Sequence, residues 1–136
     1  MRVVLTVLLL LVAACDATES QKDVLQAALS STGQRIDTIV FAPDLPEETR
    51  QAAAMLYPVT QQATIRPANG YDFPAHHFLL ESVTVSGATA KVSGMFGPVP
   101  SARPGVALLA CGSHMVFSLE RESGFWLVGE TSTTVC

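Results

Sequence analysis

The first fourteen residues constrain this chain most, because they are unsuited to a folded domain. Met1-Arg2 leads into Val3-Val4-Leu5-Thr6-Val7-Leu8-Leu9-Leu10-Leu11-Val12-Ala13-Ala14. As a helix this run is apolar on every side, so it has no polar face to show to water. A bilayer span takes roughly 20 apolar residues, and the run is too short for one. One basic residue, a short apolar core and terminal small residues are the proportions of a signal peptide. The folded domain is therefore expected to begin beyond it.

Val12-Ala13-Ala14-Cys15, directly after that core, resembles the bacterial lipobox: an aliphatic residue, two small residues and a cysteine. The resemblance covers only about the first 15 residues, and Val in place of Leu at its first position departs mildly from the pattern. It implies cleavage between Ala14 and Cys15, a diacylglyceryl group on the Cys15 thiol and, in many bacteria, acylation of the new amine. One acyl chain binds a bilayer marginally, but each buried CH₂ adds about 0.8 kcal/mol, so two or three chains anchor stably. Residues 15–19, with polar Asp16, Thr18 and Glu19, read as a short tether that holds a domain over 20–136 near the membrane. The expected location is the cell envelope, facing the periplasm or the exterior. Asp16 resembles an enterobacterial inner-membrane retention signal, but that rule does not transfer across bacteria, so the choice of membrane stays open.

Removing the leader removes Arg2 and leaves seven basic against twelve acidic residues, a formal charge near −5. A surface of that sign repels phosphate backbones, and no basic run interleaved with aromatics occurs, so nucleic-acid binding is not expected. The implied contacts are the bilayer and an envelope protein.

With Cys15 acylated, Cys111 and Cys136 remain as an even pair in an exported chain, for which a disulfide is the default reading. Closing a loop of about 25 residues contributes roughly 3–4 kcal/mol in the chain-entropy model. Met115, Phe117 and Leu119 alternate with polar neighbours, as do Trp126 and Val128, around Glu122-Ser123-Gly124. A two-residue Ser123-Gly124 turn places Cys111 opposite Cys136; a three-residue turn leaves them one step out of register. The competing reading is a nucleophile in Cys111-Gly112-Ser113-His114. Residues three apart on a strand face opposite ways, so that spacing makes no thiolate–imidazolium pair.

Along the mature chain, Ser20-Gln21-Lys22-Asp23 resembles a capping box that starts a helix, with Val24, Leu25, Ala28 and Leu29 as its apolar face and Gly33 ending it. Residues 35–41 are apolar and fit strand or helix. A second helix is expected with Asp44 as cap, Pro46 in the first turn and Glu47 and Glu48 at its positive end. Its buried face would be Leu45, Ala52, Met55 and Leu56, and Pro58 stops it. Beyond, the period falls to two. Residues 77–85 and 88–96 flank a Ser86-Gly87 turn, 97–105 is a proline-rich loop, and 106–120 pairs with 125–135. Helices followed by a meander of about four antiparallel strands specify an α+β fold, with the helices on one sheet face.

That order of elements resembles the NTF2-like and cystatin-like α+β folds, in which a curved sheet wraps around helices. The resemblance covers residues 20–136 in element order alone, and it implies a pocket between helix and sheet. Tyr71, Asp72 and His76 share one aromatic and polar loop that suits the mouth of such a pocket, where they would do general acid–base work. The plainer reading packs Tyr71 and Phe73 over the core edge. His76 and His77 are adjacent, and His114 is far away with no carboxylate spaced to help it. All three read as solvated or loop histidines, and no metal site is expected. Trp126 reads as a sheet residue, not a ligand platform. With no phosphate cradle, no G-x-S-x-G and no C-x-x-C, no cofactor is implied. The leading expectation is an anchored, non-catalytic binding module. An enzyme or carrier with an NTF2-like pocket, and an inhibitor or immunity protein, are the alternatives.

Overall fold

A computed structural model describes residues 2–60, 76–96 and 113–135, with side chains described from Asp16 onward. Its elements are α1 (Arg2–Ser30), β1 (Thr38–Phe41), α2 (Glu47–Leu56), β2 (Val59–Thr60), β3 (His77–Ser86), β4 (Thr89–Phe96), β5 (Ser113–Glu122) and β6 (Phe125–Val135). The fold is α+β, as expected, but among the described residues the sheet has six strands, not about four, in the order β2-β1-β3-β4-β5-β6. The meander β3–β6 is antiparallel, and β1 adds to it in parallel with both β2 and β3.

Of the two extra strands, β1 comes from the stretch 35–41 that the hydrophobic period left ambiguous, and β2 follows Pro58. Thr38-Ile39-Val40-Phe41 is β-branched and apolar without alternation, the pattern of a parallel strand covered on both faces, and Ile39 and Val40 are fully buried. β2 has two residues, too few to show a period. Pro58, which stops α2, turns its carbonyl to β1 and accepts from the Ile39 N–H at 2.9 Å and the Thr38 hydroxyl at 3.0 Å.

The helices also depart from expectation at their starts. Ser20 does not cap α1; the helix runs unbroken through it from Arg2 and includes residues 15–19. No Gly or Pro interrupts that stretch, and Leu and Ala propagate a helix past a weak capping signal. Thr18 is already buried there. At the other end, the hydroxyls of Ser31 and Thr32 donate to the carbonyls of Ala28 and Leu29 at 2.6 and 2.8 Å, so these late carbonyls are not left unpaired. Gly33 follows with φ +63°. In α2 the cap is Pro46, not Asp44. Its buried face is Thr49, Ala52 and Ala53, with Leu45 just ahead of it, whereas Met55 is 61% exposed and Leu56 half-buried. Small residues face inward because α2 packs against α1, where the Thr49 hydroxyl donates to Gln21 Oε1 at 2.5 Å.

Both hairpins turn in two residues. Ser86 pairs with Thr89, so the first turn is Gly87-Ala88, one residue later than expected, with Gly87 at φ +58°. The second is Ser123-Gly124, as expected, with both residues at positive φ, as a type I′ turn requires. The expected loop over 97–105 and strand residues 106–112 lie outside the described residues.

Val24, Leu25, Ala28 and Leu29 form the buried stripe of α1, as their spacing predicted. They pack on the sheet face carrying Phe78, Leu80, Val83, Ala90, Val92, Phe96, Phe117 and Leu119, with Trp126 and Val128 half-buried at its margin. The opposite face of the meander is the outer face.

Candidate binding surface

Two bulges determine what the outer face displays. On β3 the apolar positions run Phe78, Leu80, Val83, Val85: the spacing is two, then three, then two. The extra residue is Glu81, skipped where Leu80 pairs with Gly94 and Ser82 with Ser93. A bulge re-aims a side chain, and here Glu81 and Ser82 both serve the outer face. The Ser82 and Ser93 hydroxyls lie 2.7 Å apart, and Glu81 Oε2 lies 2.7 Å from Nε2 of His114 on β5. His114 therefore does have a carboxylate partner, contrary to the sequence expectation, contributed from two strands away. Both side chains stay about one-third exposed, at 38% and 32%.

On β6 the phase slips between Val128 and Thr131. Leu119 pairs with Val128 but Ser118 with Glu130, leaving Gly129 as the extra residue. This bears on the cysteine register. The two-residue turn holds the pairing that would place Cys111 opposite Cys136 only as far as Leu119. Beyond the bulge the ladder is displaced by one, and its last described pair is Ser113 with Val135. The two-residue turn therefore does not by itself set Cys111 opposite Cys136, and both cysteines lie outside the described residues.

Away from the Glu81–His114 pair, the outer face carries two polar rows across the strands. Thr84, Lys91, Ser118 and Glu130 form one, and Ser86, Thr89 and Glu120 the other. Together they floor an open depression of about 530 Å³. A second open groove, about 380 Å³, lies where Asp23, Gln26 and Ser30 of α1 meet Phe125 and Trp126. Phe125 and Leu127 stand out at this end, 73% and 49% exposed, with Glu122 and Glu120 paired beside them on the same face.

Of the residues singled out by sequence, His76 is exposed just before β3 with φ +57°, and Tyr71 and Asp72 lie outside the described residues. His77 is buried rather than solvated, because it opens β3 beside Thr38 of β1. Trp126 packs on the core margin, as expected. Cys15 lies on α1, its side chain outside the described set. Among the described residues no group of three His, Cys, Asp or Glu side chains is placed to hold a metal ion. The Lys22 ammonium on α1 is raised in pKa by its hydrogen bond to Glu19, and burial raises the Tyr57 phenol at the end of α2. Both belong to the helical layer, so neither brings a tuned proton donor to the sheet. Glu81 and the aromatic–acidic end of β6 are what sequence reading missed, although the slipped phase at 80–83 was a visible signal for the first.

No protein-family model, curated protein or solved structure matches the chain.

Proposed function

We propose that this chain is an envelope lipoprotein, anchored through Cys15, whose α+β domain is a non-catalytic binding module. The observation that carries the binding half is the pair Phe125 and Leu127, exposed side by side on β6, a terminal strand of the sheet. Large apolar side chains beside an open strand edge suit contact with another molecule. Binding at a surface is favoured over an enclosed NTF2-like pocket because Val24, Leu25, Ala28 and Leu29 of α1 fill the space against Phe78, Val92 and Phe117. The Glu81–His114 pair lies on the outer face, with both side chains about one-third exposed.

The anchoring half rests on the lipobox-like sequence. Among the described residues no helix is long and apolar enough to cross a membrane. Mass spectrometry of the mature amino terminus is expected to find an acylated peptide beginning at Cys15, and an unmodified peptide spanning Ala14 and Cys15 would overturn it. For binding, a photo-crosslinking residue at Phe125 or Leu127 is expected to give one reproducible adduct in intact envelopes. No adduct there, with adducts from Met55 on α2 instead, would overturn the assignment of this surface. A Cys111–Cys136 disulfide remains part of the proposal: neither thiol should react with maleimide before reduction.

A further inference from the structure

We infer that the edge of β6 receives an extended, basic segment of a partner protein as an added strand. The inference rests on the binding-module reading and names its partner by chemistry. β6 spans eleven residues and pairs with β5 on one side; among the described residues no strand pairs with its other side. Along such an edge alternate residues turn their N–H and C=O groups outward, ready to bond another strand. Natural edges are blunted by proline, by lysine or by shortness. β6 has no proline and no lysine, and Thr131, Thr133, Thr134 and Val135 give it β-branched character. Among the described residues its protective devices are the bulge at Gly129 and the charge of Glu130 beside it.

Charge selects the occupant. An added strand would set its outer-face side chains beside Phe125, Leu127 and Glu130, with Glu120 and Glu122 one strand further in. Lys91 lies beyond Ser118, two strands from the edge, and Arg121 pairs with Trp126 on the other face. The edge thus offers two apolar side chains rimmed by three carboxylates. In a segment alternating Lys or Arg with apolar residues, the cations fall on the outer face, with their heads at the carboxylates and their stems over Phe125 and Leu127. The apolar residues fall on the core side beside Trp126 and Val128, while backbone bonds fix the register. A second copy of β6 suits the site less well, since it brings Glu130 and the same acidic rim.

The test uses the mature chain and a hexapeptide alternating Lys and Val, followed by NMR with isotope-labelled protein. Shift changes are expected along Phe125–Val135, with binding that weakens as salt rises. Glu130→Gln should weaken it about two- to fivefold, the range of an exposed ion pair. Methylating the alternate peptide nitrogens that face β6 should abolish it. The inference is overturned if the Glu/Val counterpart binds equally well, if methylation has no effect, or if the shifts map elsewhere on the domain. It is also overturned if sedimentation shows a β6-dependent dimer without peptide. A crosslinked envelope partner that docks away from β6 would sink this inference alone and leave a binding function standing. The amino-terminal mass reads out anchoring independently of both.

Discussion

Gly94→Ala tests the packing that supports the outer face. Gly94 lies on the core side of β4, opposite Leu80 on β3 and Met115 on β5, one step from the Glu81 bulge. The Phe78 ring passes directly over it and meets Phe96 edge-on, with centroids 4.9 Å apart and planes at 62°. A Cβ at this position would lie 2.5 Å from Phe78 Cε1 and 2.5 Å from the Leu79 carbonyl oxygen. Ordinary heavy-atom contacts are about 3.5–4.0 Å, so both gaps must open by roughly an ångström. Phe78 is fully buried against Phe96 and has nowhere to turn, and the Leu79 oxygen belongs to strand backbone. Overpacking of this kind costs about 1–3 kcal/mol. Alanine's smaller backbone entropy loss returns about 0.5–1 kcal/mol of that. The net loss should be about 1–2 kcal/mol, which lowers Tm by roughly 4–8 °C in a domain of this size. Thermal and urea unfolding of the purified domain measure it. Gly129→Ala is the control, because its Cβ would meet Ser118 O at 3.8 Å, an ordinary contact. Combining Gly94→Ala with Phe78→Leu should cost less than the two singly. Equal Tm values for Gly94→Ala and the parent would refute the close-approach argument.

Three smaller perturbations separate other elements. Thr49→Val keeps the buried volume but removes the donor to Gln21, and should lower unfolding free energy by about 0.5–1.5 kcal/mol. Glu81→Gln and His114→Gln should each change stability by less than about 1 kcal/mol, because the pair is partly hydrated; a large loss in denaturant unfolding would mean the pair holds the sheet together. Ser123→Asn should raise stability by about 0.5 kcal/mol, since Ser123 sits at φ +50° in a two-residue turn that favours Asn-Gly. A lower urea midpoint would argue against that turn type.

What sequence reading recovered follows local physics. The stripe of Val24, Leu25, Ala28 and Leu29, the stop at Pro58, the Ser123-Gly124 turn and the alternation of β3 to β6 each depend on a few neighbouring residues. A helical or two-residue period writes itself into the order of amino acids, so those elements were legible. The lipobox-like run at Cys15 is likewise a local signal, and it needed no fold to be noticed.

Tertiary structure decided the rest, because the deciding neighbours are distant in the chain. β1 carries no alternation, since it is buried on both faces by elements its own sequence does not mention. β2 is strand only because β1 lies beside it. Thr49 and Ala53 face inward and Met55 outward because α1 sets the side from which α2 is approached. Glu81 meets His114 only after one inserted residue bends β3 and two further strands are laid down in register. Among the described residues the outer edge of β6 has no pairing strand because the sheet's order places it last, and no hydrophobic period encodes an order.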